Sequence, residues 1–130
     1  MSAEGLSQEE TDFCIKQAED AGFVVCRGAP DVLLLDLDSP EAVAQFERVF
    51  EAFARNFDFL GAERWKSKSG NTHIRIRLSK PWDIQTRLVL QAALGSDGVK
   101  EMLTMLRVWN GIEEPSMLFQ PPGAVIESIA

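Results

Sequence analysis

The sequence predicts an α+β fold: one two-layer domain in which helices pack on one face of a largely antiparallel sheet. Three observations carry that expectation. Segments with apolar residues at helical spacing, such as Val43, Phe46, Phe50, Phe53 and Phe57, are interspersed with short β-rich runs such as VLLLDLD. Two of those runs flank SGNT and read as an antiparallel hairpin. The chain has 130 residues, 45% of them hydrophobic, enough for one core and no more, and it shows no repeat, linker or low-complexity tract. Residues 1–130 therefore read as a single domain.

Each element follows from local signals. Ser7 and Glu10 form a capping box and Gly22 a stop, which predicts a helix over 8–21. FVVCR (23–27) is a short strand, GAPD a turn, and VLLLDLD (32–38) a central strand. Ser39 as N-cap with Pro40 behind it starts a helix over 40–55. The hairpin strands are 62–68 and 73–79. Pro81 breaks the second, and Asp83 caps a helix running to about Leu94, with Gly95 as its stop. Ser96 or Asp97 caps the next helix, whose Val99, Met102, Leu103, Leu106 and Trp109 line one face, with Met102 and Met105 assigned to packing. Asn110 and Gly111 end it, SMLFQ (116–120) is the last strand, and PPG leads into the apolar tail AVIESIA.

Charge is unevenly placed. The formal balance is −7, yet six of the thirteen Lys/Arg residues fall in 64–80, a segment without carboxylates; the remainder sets seven bases against twenty acids, or −13. An acidic body excludes a histone-like nucleic-acid coat, while a local basic face can still hold a phosphate or a short strand. Cys14 and Cys26 lack metal or redox spacing and read as buried reduced thiols, which suits the cytoplasm. No apolar run reaches membrane-spanning length, and the acidic start is not a signal peptide.

If the hairpin turns at Gly70-Asn71, Lys68 lies opposite His73, Lys66 opposite Arg75 and Arg64 opposite Arg77, and all six share one face. Like charges directly opposed are destabilising, so such a face calls for an anion or for solvent screening. The same alternation puts Asp36 and Asp38 together. Two carboxylates roughly 7 Å apart repel by about 2 kcal/mol at an effective dielectric of 20, a cost that a divalent cation removes. Mg²⁺ or Mn²⁺ takes oxygen ligands, including one or two carboxylates plus substrate phosphates.

LLLDLDSPE followed by SKSGNTHIRIRL resembles the archaeo-eukaryotic primase superfamily, which includes the primase-polymerases of phages and plasmids. The resemblance covers about residues 32–79 and implies an RRM-like core, DNA replication as the setting, and nucleotidyl transfer with Mg²⁺ or Mn²⁺. It would make Asp36 and Asp38 metal ligands and, with His73, the catalytic set. Ser69, Lys66, Lys68, Arg75, Arg77 and Arg64 would face the phosphates of a nucleoside triphosphate or short nucleic acid. A replication protein would be the expected protein partner, and a phage-encoded chain would act in the host cytoplasm. Where the family places a third acid on the late strand, this chain has Gln120; Asp83 and Asp97 read as helix caps.

Blander readings stand beside these. Asp38 ahead of Ser39-Pro40 favours a helix N-terminus, Asp36 can occupy a solvated strand end, and a basic row is usually a solvated face. The alternative function is a non-catalytic, phage-type interaction or inhibitor protein that binds another protein through the basic sheet face or its acidic helices.

Overall fold

The computed structural model describes residues 7–130. Its elements run α1 (Gln8–Asp20), β1 (Val24–Arg27), β2 (Val32–Leu37), α2 (Pro40–Asn56), β3 (Phe59–Lys66), β4 (Thr72–Leu78), α3 (Ile84–Ala93), α4 (Gly98–Trp109), β5 (Met117–Gln120) and β6 (Glu127–Ser128). The predicted class is the observed one, an α+β domain with antiparallel sheets. Helix starts follow the local chemistry. Ser7 accepts from the Glu10 amide, Ser39 from Ala42, Asp83 from Thr86, and Asp97 from Val99 and Lys100, so each cap satisfies donors the helix leaves open.

The main sheet has the order β2-β4-β3-β6, and β1 pairs with β5 in a separate ribbon. Leu33, Leu35, Leu37, Ala62, Ile74, Ile76 and Leu78 form one face, packed with Phe46 and Phe53 of α2 in the larger core. Leu34 and Trp65 on the opposite face pack with Cys26 of β1 and Leu118 of β5. The ribbon thus covers the side of the sheet that α2 does not. Trp65 pins it further by donating from Nε1 to the Phe119 carbonyl at 3.1 Å. The tail contributes more than expected, since β6 pairs with Glu63 and Arg64 and extends the sheet.

The free edge of β2 is sealed by side chains rather than by another strand. Leu34 N donates to Gln91 Oε1, Asp36 N donates to Ser96 Oγ, and Lys100 Nζ donates to the Leu34 carbonyl. The Asp97 amide closes the row on the Asp36 carbonyl at 2.7 Å. Unpaired edge groups template aggregation, and here the α3–α4 junction occupies them.

The hairpin register corrects the expectation of a shared basic face. His73 lies opposite Trp65, Arg75 opposite Glu63, Arg77 opposite Gly61, Arg64 opposite Ile74 and Lys66 opposite Thr72. Compared with the expected pairing this is an odd shift, and an odd shift moves side chains to the other face. Arg64 and Lys66 therefore lie on the α2 side, and His73, Arg75 and Arg77 on the ribbon side. The turn sets this register. Ser67 N bonds the Asn71 carbonyl, Gly70 N bonds the Ser67 carbonyl, and Gly70 sits at φ 91°, a three-residue loop that needs glycine in the left-handed region. The observed register also puts Glu63 rather than Lys66 opposite Arg75, replacing a like-charge pair with an ion pair.

Candidate functional site

Asp36 and His73 are direct cross-strand partners on β2 and β4. Leu33, Leu35 and Leu37 take the α2 face, so alternation sends Asp36 to the ribbon side, where His73 Nε2 lies 3.4 Å from Asp36 Oδ1. The same oxygen accepts from Asn71 Nδ2 at 3.2 Å. Burial pushes the Asp36 carboxyl up, but the hydrogen bond and charge of His73, then Asn71 and Lys100, outweigh it and hold the group below the usual carboxylate range. His73 is 7% exposed, with its ring edge-on to Trp65 at 5.8 Å. Its Nδ1 is buried and has no hydrogen-bond partner among the described residues. Buried polar atoms are nearly always paired, which makes this nitrogen an exception within the site.

Two clefts share Asp36, His73 and Phe119. One, of about 500 Å³, is walled by the hairpin turn: Ser67, Lys68, Ser69 and Asn71, with Phe23 opposite. The other, of about 330 Å³, runs between α1, α4 and β5 and adds Cys14, Asp97, Lys100 and Arg107. Phe23 and Phe119 meet edge to face at 6.5 Å beside the first cleft.

Of the predicted site residues, the fold gathers Asp36, His73, Ser69 and Lys68 around one cleft. It places Asp38, Arg64 and Lys66 elsewhere. β2 ends at Leu37, and these three line a separate cavity of about 900 Å³ with Ser39, Pro40 and the 121–125 segment. Arg64 is bound there by Glu127 through two bonds, at 2.9 and 3.1 Å, and Lys66 donates to Thr72 Oγ1. Arg75 stays on the His73 face but is held by Glu63. Arg77 is exposed and its guanidinium lies over Gly61, where a Cβ would come within 2.7 Å of Nη2. Neither Arg75 nor Arg77 lines the Asp36 clefts.

The sequence reading missed a buried polar network behind the site. Lys100 Nζ reaches Glu101 Oε1 at 2.8 Å, and Gln91 Nε2 donates to Glu101 Oε2 at 2.7 Å. Burial pulls the Lys100 ammonium down, against Glu101 and then Asp36, which hold it up. Asp97 was read as a cap, which it is, and it also borders the cleft of Asp36 and His73. The overlooked signal was in α4: its polar residues Glu101 and Thr104 lie opposite its apolar stripe, and they are the buried ones.

The described residues contain no group of three or more His, Cys, Asp or Glu side chains able to hold a metal ion. Asp36 is already engaged by His73 and Asn71, and Asp38 lies at another cavity, so the donor set does not make a two-carboxylate metal centre. No helix among the described residues is long and apolar enough to cross a membrane. No protein-family model, curated protein or solved structure matches the chain significantly. What the fold and site define is an α+β domain with a cleft lined by an Asp–His pair.

Proposed function

We propose that this domain binds a phosphate-bearing nucleotide, a nucleoside triphosphate or the end of a short nucleic acid, in the cleft above Asp36 and His73. The observation that carries the reading is the cleft that sets Asp36 and His73 beside a turn that offers Lys68, Ser67, Ser69 and Asn71. A phosphate needs donors, and the exposed Lys68 ammonium with the two serine hydroxyls supplies them at the mouth. Phe23 and Phe119 give the same cleft an apolar wall against which a base can lie. The resemblance to primase-polymerases supports the ligand class and extends it to nucleotidyl transfer. Because Asp38 is at another cavity, binding is the better supported part. A Mg²⁺ or Mn²⁺ ion would arrive with the triphosphate, with Asp36 as the carboxylate of the pair nearest to it.

Calorimetric titration of ATP, with and without Mn²⁺, tests the reading on the intact chain. The expected result is binding strengthened by Mn²⁺, weakened by Asp36→Asn, His73→Ala or Lys68→Ala, and unchanged by Asp38→Asn. No heat with any nucleotide from folded protein would refute it. Loss with Asp38→Asn equal to that with Asp36→Asn would refute the placement and restore the paired-carboxylate arrangement.

A further inference from the structure

We propose that the cleft between α1, α4 and β5 binds a small amphipathic carboxylate, its head on Arg107 and its apolar body against Leu103, Met117 and Leu118. The proposal does not rest on the nucleotide reading. The cleft holds about 330 Å³, within the range of small-molecule sites. Its α4 wall is built from Lys100, Leu103 and Arg107, which follow one another at i, i+3 and i+7. One stripe of the helix therefore turns a cation at each end, and a leucine between them, toward the cleft. Seven residues of helix put the two cations about 10 Å apart along its axis. Met117, Leu118 and Phe119 of β5 supply the facing wall, and it is apolar.

Charge orients the occupant. At the first end Lys100 is answered by Glu101 at 2.8 Å, and the carboxylates of Asp36 and Asp97 line the cleft beside it. Asp36 is held by His73 and Asn71, and Asp97 caps α4, so both stay in place as negative charge. An anion is repelled there. At the other end Arg107 lies near Cys14 and near a second guanidinium, that of Arg27. Arg27 donates from Nη2 to the carbonyls of Glu113 and Glu114, which leaves its charge unanswered by those bonds. Burial pulls the Arg107 guanidinium down; Cys14 counters this and Arg27 adds to it. A guanidinium stays protonated all the same, so the cost is carried as charge, and a bound anion offsets it. One guanidinium matches one carboxylate through two parallel N–H···O bonds, whereas a phosphate monoester brings nearly twice the charge.

The test titrates butanoate, hexanoate and octanoate into the intact chain by calorimetry, with octanol, octylamine and octyl phosphate as controls. The methyl resonances of Leu103, Met117 and Leu118 locate the ligand. The expected result is one-to-one binding that tightens by up to about fourfold per added methylene, with shifts centred on those methyls. Octanol and octylamine should bind at least about tenfold more weakly than octanoate. Arg107→Gln should cost octanoate a similar factor, Arg107→Lys should retain part of the affinity, and Lys68→Ala, in the other cleft, should change nothing. Equal binding of octanol, no gain with chain length, or no binding of any carboxylate by the folded chain overturns the proposal. Tighter binding of octyl phosphate overturns the carboxylate head. Shifts centred on Val43 and Val125 would put the ligand in the 900 Å³ cavity and overturn the site. The ligand series needs only the parent chain, so its outcome stands even where a variant of the half-buried Arg107 fails to fold.

Discussion

Replacing Glu101 with Gln should destabilise the fold in a way that depends on pH. The Lys100 and Glu101 side chains are only 11% and 9% exposed, with Nζ to Oε1 at 2.8 Å. Gln keeps the volume and can still meet Gln91, so the main loss is the counter-charge. Breaking one side of a buried ion pair costs about 3–5 kcal/mol. The lysine sets a ceiling of its own, because it can shed its proton. From an unfolded pKa of about 10.4, neutralising it at pH 7 costs about 1.4 kcal/mol per unit, or about 4.6 kcal/mol in all. The parent, with its Lys100 pKa already lowered by burial, bears part of that cost, so the expected loss at pH 7 is about 3 kcal/mol, a large share of a typical stability of about 5–15 kcal/mol. The sign with pH follows from linkage. Lys100 already has a folded pKa below its unfolded one, chiefly through burial, and removing Glu101 lowers it further. Between the two values the unfolded chain binds more protons, so stability rises with pH. The gap between variant and parent should then shrink by up to about 1.4 kcal/mol per unit as pH approaches 10. Urea unfolding at about pH 7, 8.5 and 10 measures it. A gap under about 1 kcal/mol at pH 7, or one constant across the series, would show that the cost is not that of a stranded charge.

Trp65→Ala removes the side chain that joins the main sheet to the β1–β5 ribbon, together with its bond to Phe119. A loss of about 3–5 kcal/mol is expected, with β1 and β5 amides exchanging faster than those of β4; uniform acceleration would mean that Trp65 does not hold the ribbon specifically. Asp36 predicts acid sensitivity. Its folded pKa lies below the usual carboxylate value, so its contribution is complete above about pH 4 and is lost as pH falls through the folded value. Asp36→Asn should therefore lose less stability than the parent between about pH 5 and about pH 2.5, as measured by urea midpoints; parallel curves would remove His73 and Asn71 as the cause.

What could be read from the sequence divides by range. Caps act within three residues, so Ser7, Ser39, Asp83 and Asp97 announced the helix starts, and the five strands expected from composition are present. The joining of Asp36 to His73 needed only that their strands be neighbours, and the fold makes them so. The hairpin register needed more. It turns on which residues close the loop at Ser67 and Asn71, and the resulting odd shift separated Arg64 and Lys66 from Arg75 and Arg77. The β1–β5 ribbon pairs Val24 with Gln120, a contact across most of the chain that no local pattern encodes.

The orientation of α4 shows most clearly why periodicity alone fell short. An apolar stripe predicts which residues share a face; that the face is buried is an added assumption. Here the edge of β2 presents Leu34 N and O, which must be satisfied if they are to be shielded from water. Gln91 and Lys100 meet them, and Glu101 then neutralises Lys100 and completes Gln91. Sealing a strand edge therefore draws the polar side of α4 inward, which leaves Val99, Met102 and Trp109 in solvent. The same junction bonds the Asp36 amide to Ser96 and its carbonyl to Asp97. One piece of backbone chemistry, the unpaired edge of β2, thus holds the cleft acid in place and turns the apolar face of α4 outward.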